Sequence, residues 1–260
     1  MKHEELMANL KRLHLAAMAL GYSEVARQCE TAKKTFEQYL AALVAMEMAH
    51  KNELRIGRIL KEAKLPKDQR LETYDFKCRT GISELGVRRL GSGDFVRQSV
   101  NVVLYGGFGI GKSHLANALT RMLCEAGVRC YFTTTHDLIN GLLEAQKTLS
   151  LAAHFRRLDR YDVITLDELG FTPQSKDGAD LFFQFISQRY ERKSLIITTN
   201  LTYSEWDKVF LNPVTTAAAV DRIIHNCETF NIKGQSWRAE TAKRRAHEVK
   251  QELESVQSLD

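Results

Sequence analysis

The chain has 260 residues, 44% of them hydrophobic and 27% charged, with a formal net charge of +5. That much apolar material supports one or two packed domains, and only three prolines with no Ser- or Gln-rich tract argue against long disordered segments. No window approaches about 18 consecutive apolar residues, so no membrane span is expected. Residues 1–10 mix acidic, basic and apolar side chains without the layout of a secretory leader, so the expected location is cytoplasmic. Cys29, Cys78, Cys124, Cys130 and Cys227 are scattered without a C-x-x-C pair, which points to reduced thiols and away from a zinc site.

The first 75 residues read as a small all-helical domain. Leu6, Leu10, Leu13, Ala17 and Leu20 recur at helical spacing, with Gly21 as the expected stop. A second helix fits residues 35 to about 64, with Phe36, Tyr39, Leu40, Leu43 and Val44 on one stripe, resumed by Ile56, Ile59 and Leu60. Pro66 interrupts it, and 65–75 reads as a linker. An apolar stripe of this kind needs a partner surface, so 1–75 is expected to serve assembly, DNA or partner contacts.

From about residue 99 short β-prone runs alternate with helical ones. Strands are expected at 100–105, 128–133, 163–166, 195–199 and 229–232, and helices at 113–126, 136–149 and 177–190. This alternation implies a parallel sheet flanked by helices, an α/β domain over 76–260. A charged helix is expected over 236–255. Charge is uneven: residues 76–160 carry 12 Lys and Arg against 6 acids, while 161–260 carry 12 against 15. The central excess, with Arg88, Arg89, Arg156, Arg157 and Arg160, suits phosphate contact on a polyanion without base reading, or an ordinary solvated face.

The run 100–105 leads into Gly106-Gly-Phe-Gly-Ile-Gly-Lys-Ser113, the G-x-x-x-x-G-K-[ST] pattern between a buried strand and a helix. Glycines let the backbone wrap phosphate oxygens, and the helix N-terminus adds unpaired N–H donors. Gly106, Gly107, Phe108, Gly109, Ile110, Gly111, Lys112, Ser113 and the following His114 are therefore candidate ATP contacts. Lys112 is expected to reach the β- and γ-phosphates and Ser113 to bind Mg²⁺.

The apolar run 162–166 ends in Asp167 and Glu168, which suit a second Mg²⁺ contact and a base for the attacking water. An acid directly after the metal aspartate favours water over a small acceptor. In P-loop ATPases with an extra central strand, that strand's tip carries a polar residue near the γ-phosphate. Asn200, after 195–199, fits that place, with Thr199 as the alternative and a capped turn as the plain reading. Arg222, on an apolar helical stretch, is a candidate catalytic arginine acting on a neighbouring subunit's site, set against an ion pair with Asp221 or Glu228. Arg238 is a second nucleotide-sensing candidate.

These runs together resemble the IstB-like ATP-binding proteins, helpers of insertion-sequence transposases in the AAA+ branch that also holds DnaC helicase loaders and DnaA initiators. The resemblance rests on Leu104-Tyr-Gly-Gly-Phe-Gly-Ile-Gly-Lys-Ser113 and its continuation to 119, Leu166-Asp-Glu-Leu-Gly-Phe171, and segments 182–192, 197–200, 204–210, 220–225 and 234–238. In the N-terminal part, 36–40, 63–66 and 71–76 also match, so nearly the whole chain is covered. Phe108 stands where the family often has Pro, Ser113 where Thr is frequent, Lys51 for Arg, Trp237 for Tyr and Asn212 for an acid. The resemblance implies an AAA+ P-loop ATPase, DNA-stimulated, that assembles on duplex DNA as an ATP-dependent homo-oligomer and presents target DNA to a cognate transposase. A DnaC-like helicase loader is the alternative. A small-molecule kinase and a nucleotide-gated DNA scaffold with little turnover are competing classes.

Overall fold

The computed structural model of the chain describes residues 3–66, 68–171 and 175–236. The expected C-terminal helix, with Arg238, lies outside the described residues. The chain divides into two compact units, Met1–Arg58 and Ile59–Asp260.

The first unit holds α1 (His3–Arg12), α2 (Ala16–Thr31) and most of α3 (Phe36–Glu62). The single helix expected to end at Gly21 is two helices. His14 takes a left-handed φ of 58° between them, and Gly21 lies inside α2, where a Cβ would come within 2.7 Å of the Met46 side chain. Gly21 is therefore a close-packing point and not a stop. Glu47 is 3% exposed, yet its carboxylate accepts from the Met18 N–H at 3.0 Å and pairs with Lys51 at 3.7 Å. It caps the first turn of α2, where backbone donors and the helix dipole favour an anion. The expected α3 stripe splits. Leu43 is buried, whereas Phe36, Leu40, Val44 and Met48, four residues apart along the helix, are exposed.

The second unit begins with the end of α3, which carries the core residues Ile59 and Ala63. The segment 59–75, expected to belong to the helical domain, thus packs with the α/β unit: Phe132 N–H bonds the Ala63 carbonyl at 3.0 Å, and Leu71 and Tyr74 are buried. A 3₁₀ turn at Leu71–Thr73 leads to β1 (Arg79–Thr80), α4 (Glu84–Gly91), α5 (Asp94–Arg97) and β2 (Asn101–Tyr105). Then come α6 (Lys112–Glu125), β3 (Cys130–Thr134), α7 (Thr135–Lys147), α8 (Leu151–Asp159), β4 (Val163–Leu169), α9 (Lys176–Arg189) and β5 (Ser194–Thr199). The described part closes with α10 (Asp207–Phe210), α11 (Pro213–Ile224), β6 (Cys227–Asn231) and β7 (Lys233–Gly234).

Five parallel strands form one sheet in the order β3-β4-β5-β2-β6, and β1 pairs antiparallel with β7. All five expected strands are present, and β5 lies between β2 and β4. Strands covered on both faces read as unbroken apolar runs, as Val102, Val103, Leu104 and Ile196, Ile197 do. One core forms around α7, α9, α10 and α11 with Trp206 fully enclosed; the other forms around α6, α4 and the segment from Ile59 to Tyr74. Arg189 is buried against the Tyr161, Asp162 and Ser194 carbonyls, and desolvation pulls its guanidinium down to about 10. It gives partners to backbone carbonyls at the starts of β4 and β5. Asn212, for which the sequence suggests no role, caps α11 by accepting from the Val214 and Thr215 N–H groups. Among the described residues no helix is long and apolar enough to cross a membrane.

Candidate nucleotide and hydrolysis site

The C-terminal ends of β2, β4 and β5 converge on one cavity of about 380 Å³. Its walls include Phe108 to His114 from the loop, Glu168, Phe171 and Thr198 from the acidic side, and Asp68, Gln69, Thr73 to Asp75 and Arg79 from the segment before the sheet. Ligands of open α/β sheets bind at this end, outside the carboxyl ends of the strands.

The loop from Gly106 to Gly111 joins β2 to α6. Gly106 has φ 150°, and a Cβ there would sit 2.1 Å from the Ile232 carbonyl oxygen, so only glycine allows this approach. Gly111 has φ 93° and serves as N-cap of α6. Ile110 anchors the loop in the core, 4% exposed. Its carbonyl accepts from Arg79 Nε at 2.7 Å. Lys112 opens α6, is 8% exposed, and donates to the Gly106 and Gly107 carbonyls at 2.9 and 2.7 Å. The loop thus holds an ammonium and a helix N-terminus together, the combination that binds phosphate.

His114 lines the cavity and also holds the segment before the sheet. Its Nε2 lies 2.8 Å from the Arg70 carbonyl and 3.1 Å from the Thr73 hydroxyl, and its ring meets Tyr74 edge-on. With Asn117, which donates to Gln69 at 2.6 Å, and Arg121, which donates to the Pro66 carbonyl at 3.0 Å, it fastens Pro66, Gln69, Arg70 and Thr73 along α6. Phe108 is 64% exposed and meets Phe171 edge-on at the cavity mouth.

Asp167 and Glu168 raise a geometric question, because neighbours on a regular strand point to opposite faces. The β4–β5 ladder runs in register to Leu166↔Ile197 and resumes at Leu169↔Thr199. That leaves one extra residue on β4, a bulge, and Glu168 occupies it at φ 62°. Glu168 accordingly lines the cavity, while Asp167 is 7% exposed just behind its wall, where its carboxylate accepts from the Thr198 hydroxyl. The Glu168 N–H donates to that same hydroxyl at 3.0 Å.

Asn200 follows β5 directly, and its Oδ1 is buried without a hydrogen-bond partner. Thr199, the alternative, is committed: its hydroxyl donates to the Leu169 carbonyl at 2.9 Å and accepts from the Leu201 N–H at 3.0 Å. Arg222 makes neither of the ion pairs considered for it. Its guanidinium stacks 4.9 Å from the Phe183 ring centroid and donates to the Ala218 carbonyl, while Glu228 pairs with Arg89. Arg222 is not a wall of its own subunit's cavity.

Thr198, Arg79 and Tyr74 escaped the sequence reading. No spacing marks Arg79, whose β1 placement depends on pairing with β7 about 150 residues later. Tyr74 is buried, its hydroxyl unpartnered and desolvation pushing it up to about 12. Thr198 was findable, since it stands in the strand facing Asp167.

Mg²⁺ fits the residues present. Ser113 lines the cavity, the buried carboxylate of Asp167 is next in sequence to Glu168 of its wall, and no group of three or more His, Cys, Asp or Glu able to hold a metal occurs among the described residues. Mg²⁺ is commonly held in this way, by one or two protein oxygens plus the nucleotide's own.

A parallel sheet of this strand order, with an extra strand between the phosphate-loop strand and the acidic strand, defines a P-loop protein of the AAA+ class. Solved relatives agree. The chain matches the DnaC helicase loader at 26% identity with TM-score 0.52, over 64% of this chain and 97% of that one. DnaA bound to AMPPCP and single-stranded DNA shares the fold at TM-score 0.54 and 18% identity, over 71% of this chain and 56% of that one. Within that class the chain belongs to the IstB-like ATP binding protein family, which matches residues 8–246. An insertion-sequence ATP-binding protein of Sinorhizobium fredii is 35% identical over 90% of this chain and 78% of its own length. The corresponding protein of insertion sequence IS21 in Pseudomonas aeruginosa is 34% identical over 90% and 88%.

Proposed function

We propose that the protein is a cytoplasmic DNA-stimulated ATPase that assembles on duplex DNA as an ATP-dependent homo-oligomer and helps a cognate transposase use target DNA. The observation that carries the hydrolytic part is the bulge at Glu168, which sets its carboxylate into the cavity beside the Lys112 loop, next in sequence to the buried Asp167. A binding-only site has no need of it.

In this reading the Gly106–Gly111 backbone and Lys112 bind the ATP phosphates, and Ser113 with Asp167 holds Mg²⁺. Bound there, Mg²⁺ would neutralise charge on the β- and γ-phosphate oxygens. Glu168 orients and deprotonates the attacking water. Asn200, at the tip of β5 with its Oδ1 buried and unpartnered, is the proposed γ-phosphate sensor, though it is not among the cavity's wall residues. Arg222 completes a neighbour's site, supported by its absence from its own cavity wall. Arg238 remains the proposed second sensor.

DNA contact is assigned to the end of α8. Arg88 pairs with Glu84 and Arg89 with Glu228, so both are partly neutralised. Arg156, Arg157 and Arg160 are exposed and make no ion pair among the described residues. The helical N-terminal unit, with its exposed Phe36, Leu40, Val44 and Met48, is assigned to protein contacts. The likeness to the DnaC helicase loader supports a second reading, helicase loading, in which a hexameric helicase replaces the transposase as the protein retained on an affinity column.

Hydrolysis is tested by following phosphate release from ATP with no acceptor present. The expected result is turnover that rises when duplex DNA is added. ADP formed only in the presence of a small hydroxyl compound, with the phosphoryl group on that compound and no free phosphate, would instead mark a kinase, and neither ADP nor phosphate a scaffold.

A further inference from the structure

We propose that Thr198 is a positioning residue for hydrolysis, its hydroxyl clasping the Mg²⁺ carboxylate and the strained backbone of the catalytic glutamate into one arrangement. This rests on the ATPase reading above.

A threonine hydroxyl carries one proton and two lone pairs. An amide N–H only donates and an ionised carboxylate only accepts, so the direction of both bonds is fixed. The Thr198 proton goes to Asp167 Oδ1, and a lone pair receives the Glu168 N–H at 3.0 Å. The side chain is 1% exposed and β-branched, so packing holds its χ1. Water cannot replace it without repacking β5.

The bulge explains why such a clasp is needed. It takes the Glu168 N–H out of the regular β4–β5 ladder between Leu166 and Leu169. A left-handed φ is unfavourable on a residue other than glycine, as at Glu168, and a buried N–H without a partner adds to that cost. The Thr198 hydroxyl supplies the partner. Without it, β4 gains by reverting to regular alternation, which carries Glu168 to the opposite face of the sheet. The same loss frees Asp167 to rotate. One hydroxyl therefore governs both carboxylates, and metal affinity and turnover should fall together.

The test compares Thr198→Ser, Thr198→Ala and Thr198→Val in the full chain. Ser and Ala both lose the methyl group, but only Ser keeps the hydroxyl, so their difference isolates the clasp even if Val misfolds. Two quantities are read: kcat for phosphate release, and the Mg²⁺ concentration that half-maximally tightens binding of a fluorescent ATP analogue. Ser should stay close to wild type in both. Ala is expected to lower kcat by about 10²-fold, the effect of a misplacement of roughly 1 Å. It should raise the Mg²⁺ requirement by about 10-fold, as loss of an outer-sphere partner does, with metal-free analogue binding unchanged. Equal behaviour of Ser and Ala would overturn the clasp, as would a Val variant indistinguishable from wild type. Wild-type protein that binds Mg²⁺ and nucleotide but releases no phosphate would sink the ATPase reading alone, because the metal titration still reads Thr198.

Discussion

Glu168→Gln is expected to lower ATP turnover by about 10²–10⁴-fold, the usual worth of a positioned acid–base group, while leaving ATP affinity close to wild type. Gln keeps the size and shape of the side chain, and the backbone at φ 62° is still fixed by the Thr198 hydroxyl. It cannot accept a proton. Affinity should persist because the ammonium of Lys112, the loop amides and Asp167 are untouched. Single-turnover phosphate release and analogue binding measured on the same preparation check both halves. A variant hydrolysing at the wild-type rate would return the protein to the nucleotide-gated scaffold class, and one that fails to bind would place Glu168 in the phosphate site itself.

The second large effect is expected at Arg222. Its guanidinium stacks on Phe183 and makes no ion pair among the described residues, and it does not line its own cavity. A planar, permanently charged group held by an aromatic face and one carbonyl is poised to approach phosphate oxygens from a neighbouring subunit. Arg222→Ala should reduce DNA-stimulated turnover by about 10³–10⁵-fold, the range for arginines that complete a phosphoryl-transfer site. Mixing gives the sharper outcome. A Glu168→Gln subunit still offers Arg222, and an Arg222→Ala subunit still has Glu168, so two inactive proteins should regain part of the activity when combined with DNA. No recovery would place Arg222 in its own subunit's packing.

The phosphate loop was legible because its chemistry is local: a strand, six residues of permissive backbone and a helix start are all contiguous. The sheet was legible for a related reason, since runs such as 100–105 and 195–199 are apolar on both faces. What the sequence hid depended on distant partners. Gly21 looks like a helix end, but its meaning is set by Met46 across the next helix. The segment 65–75 looks like a linker, yet His114, Asn117 and Arg121 fasten it to α6. Asp167 and Glu168 were readable as a pair, whereas the bulge that brings Glu168 to the cavity wall while Asp167 stays buried shows only in register with β5. Asn200 was read from the same strand; the Thr199 hydroxyl is committed to two bonds, and Asn200 stays a proposal. Arg238 falls outside the described residues.

In the proposed function, ATP held at Gly106–Ser113 drives assembly on DNA. Light scattering coupled to size exclusion on Glu168→Gln protein tests it most directly, run with duplex DNA in the presence of ATP, of ADP and of neither. The slowed variant should form a multi-subunit species on DNA with ATP and return to the small form with ADP or without nucleotide. A monomer under all three conditions would contradict the account.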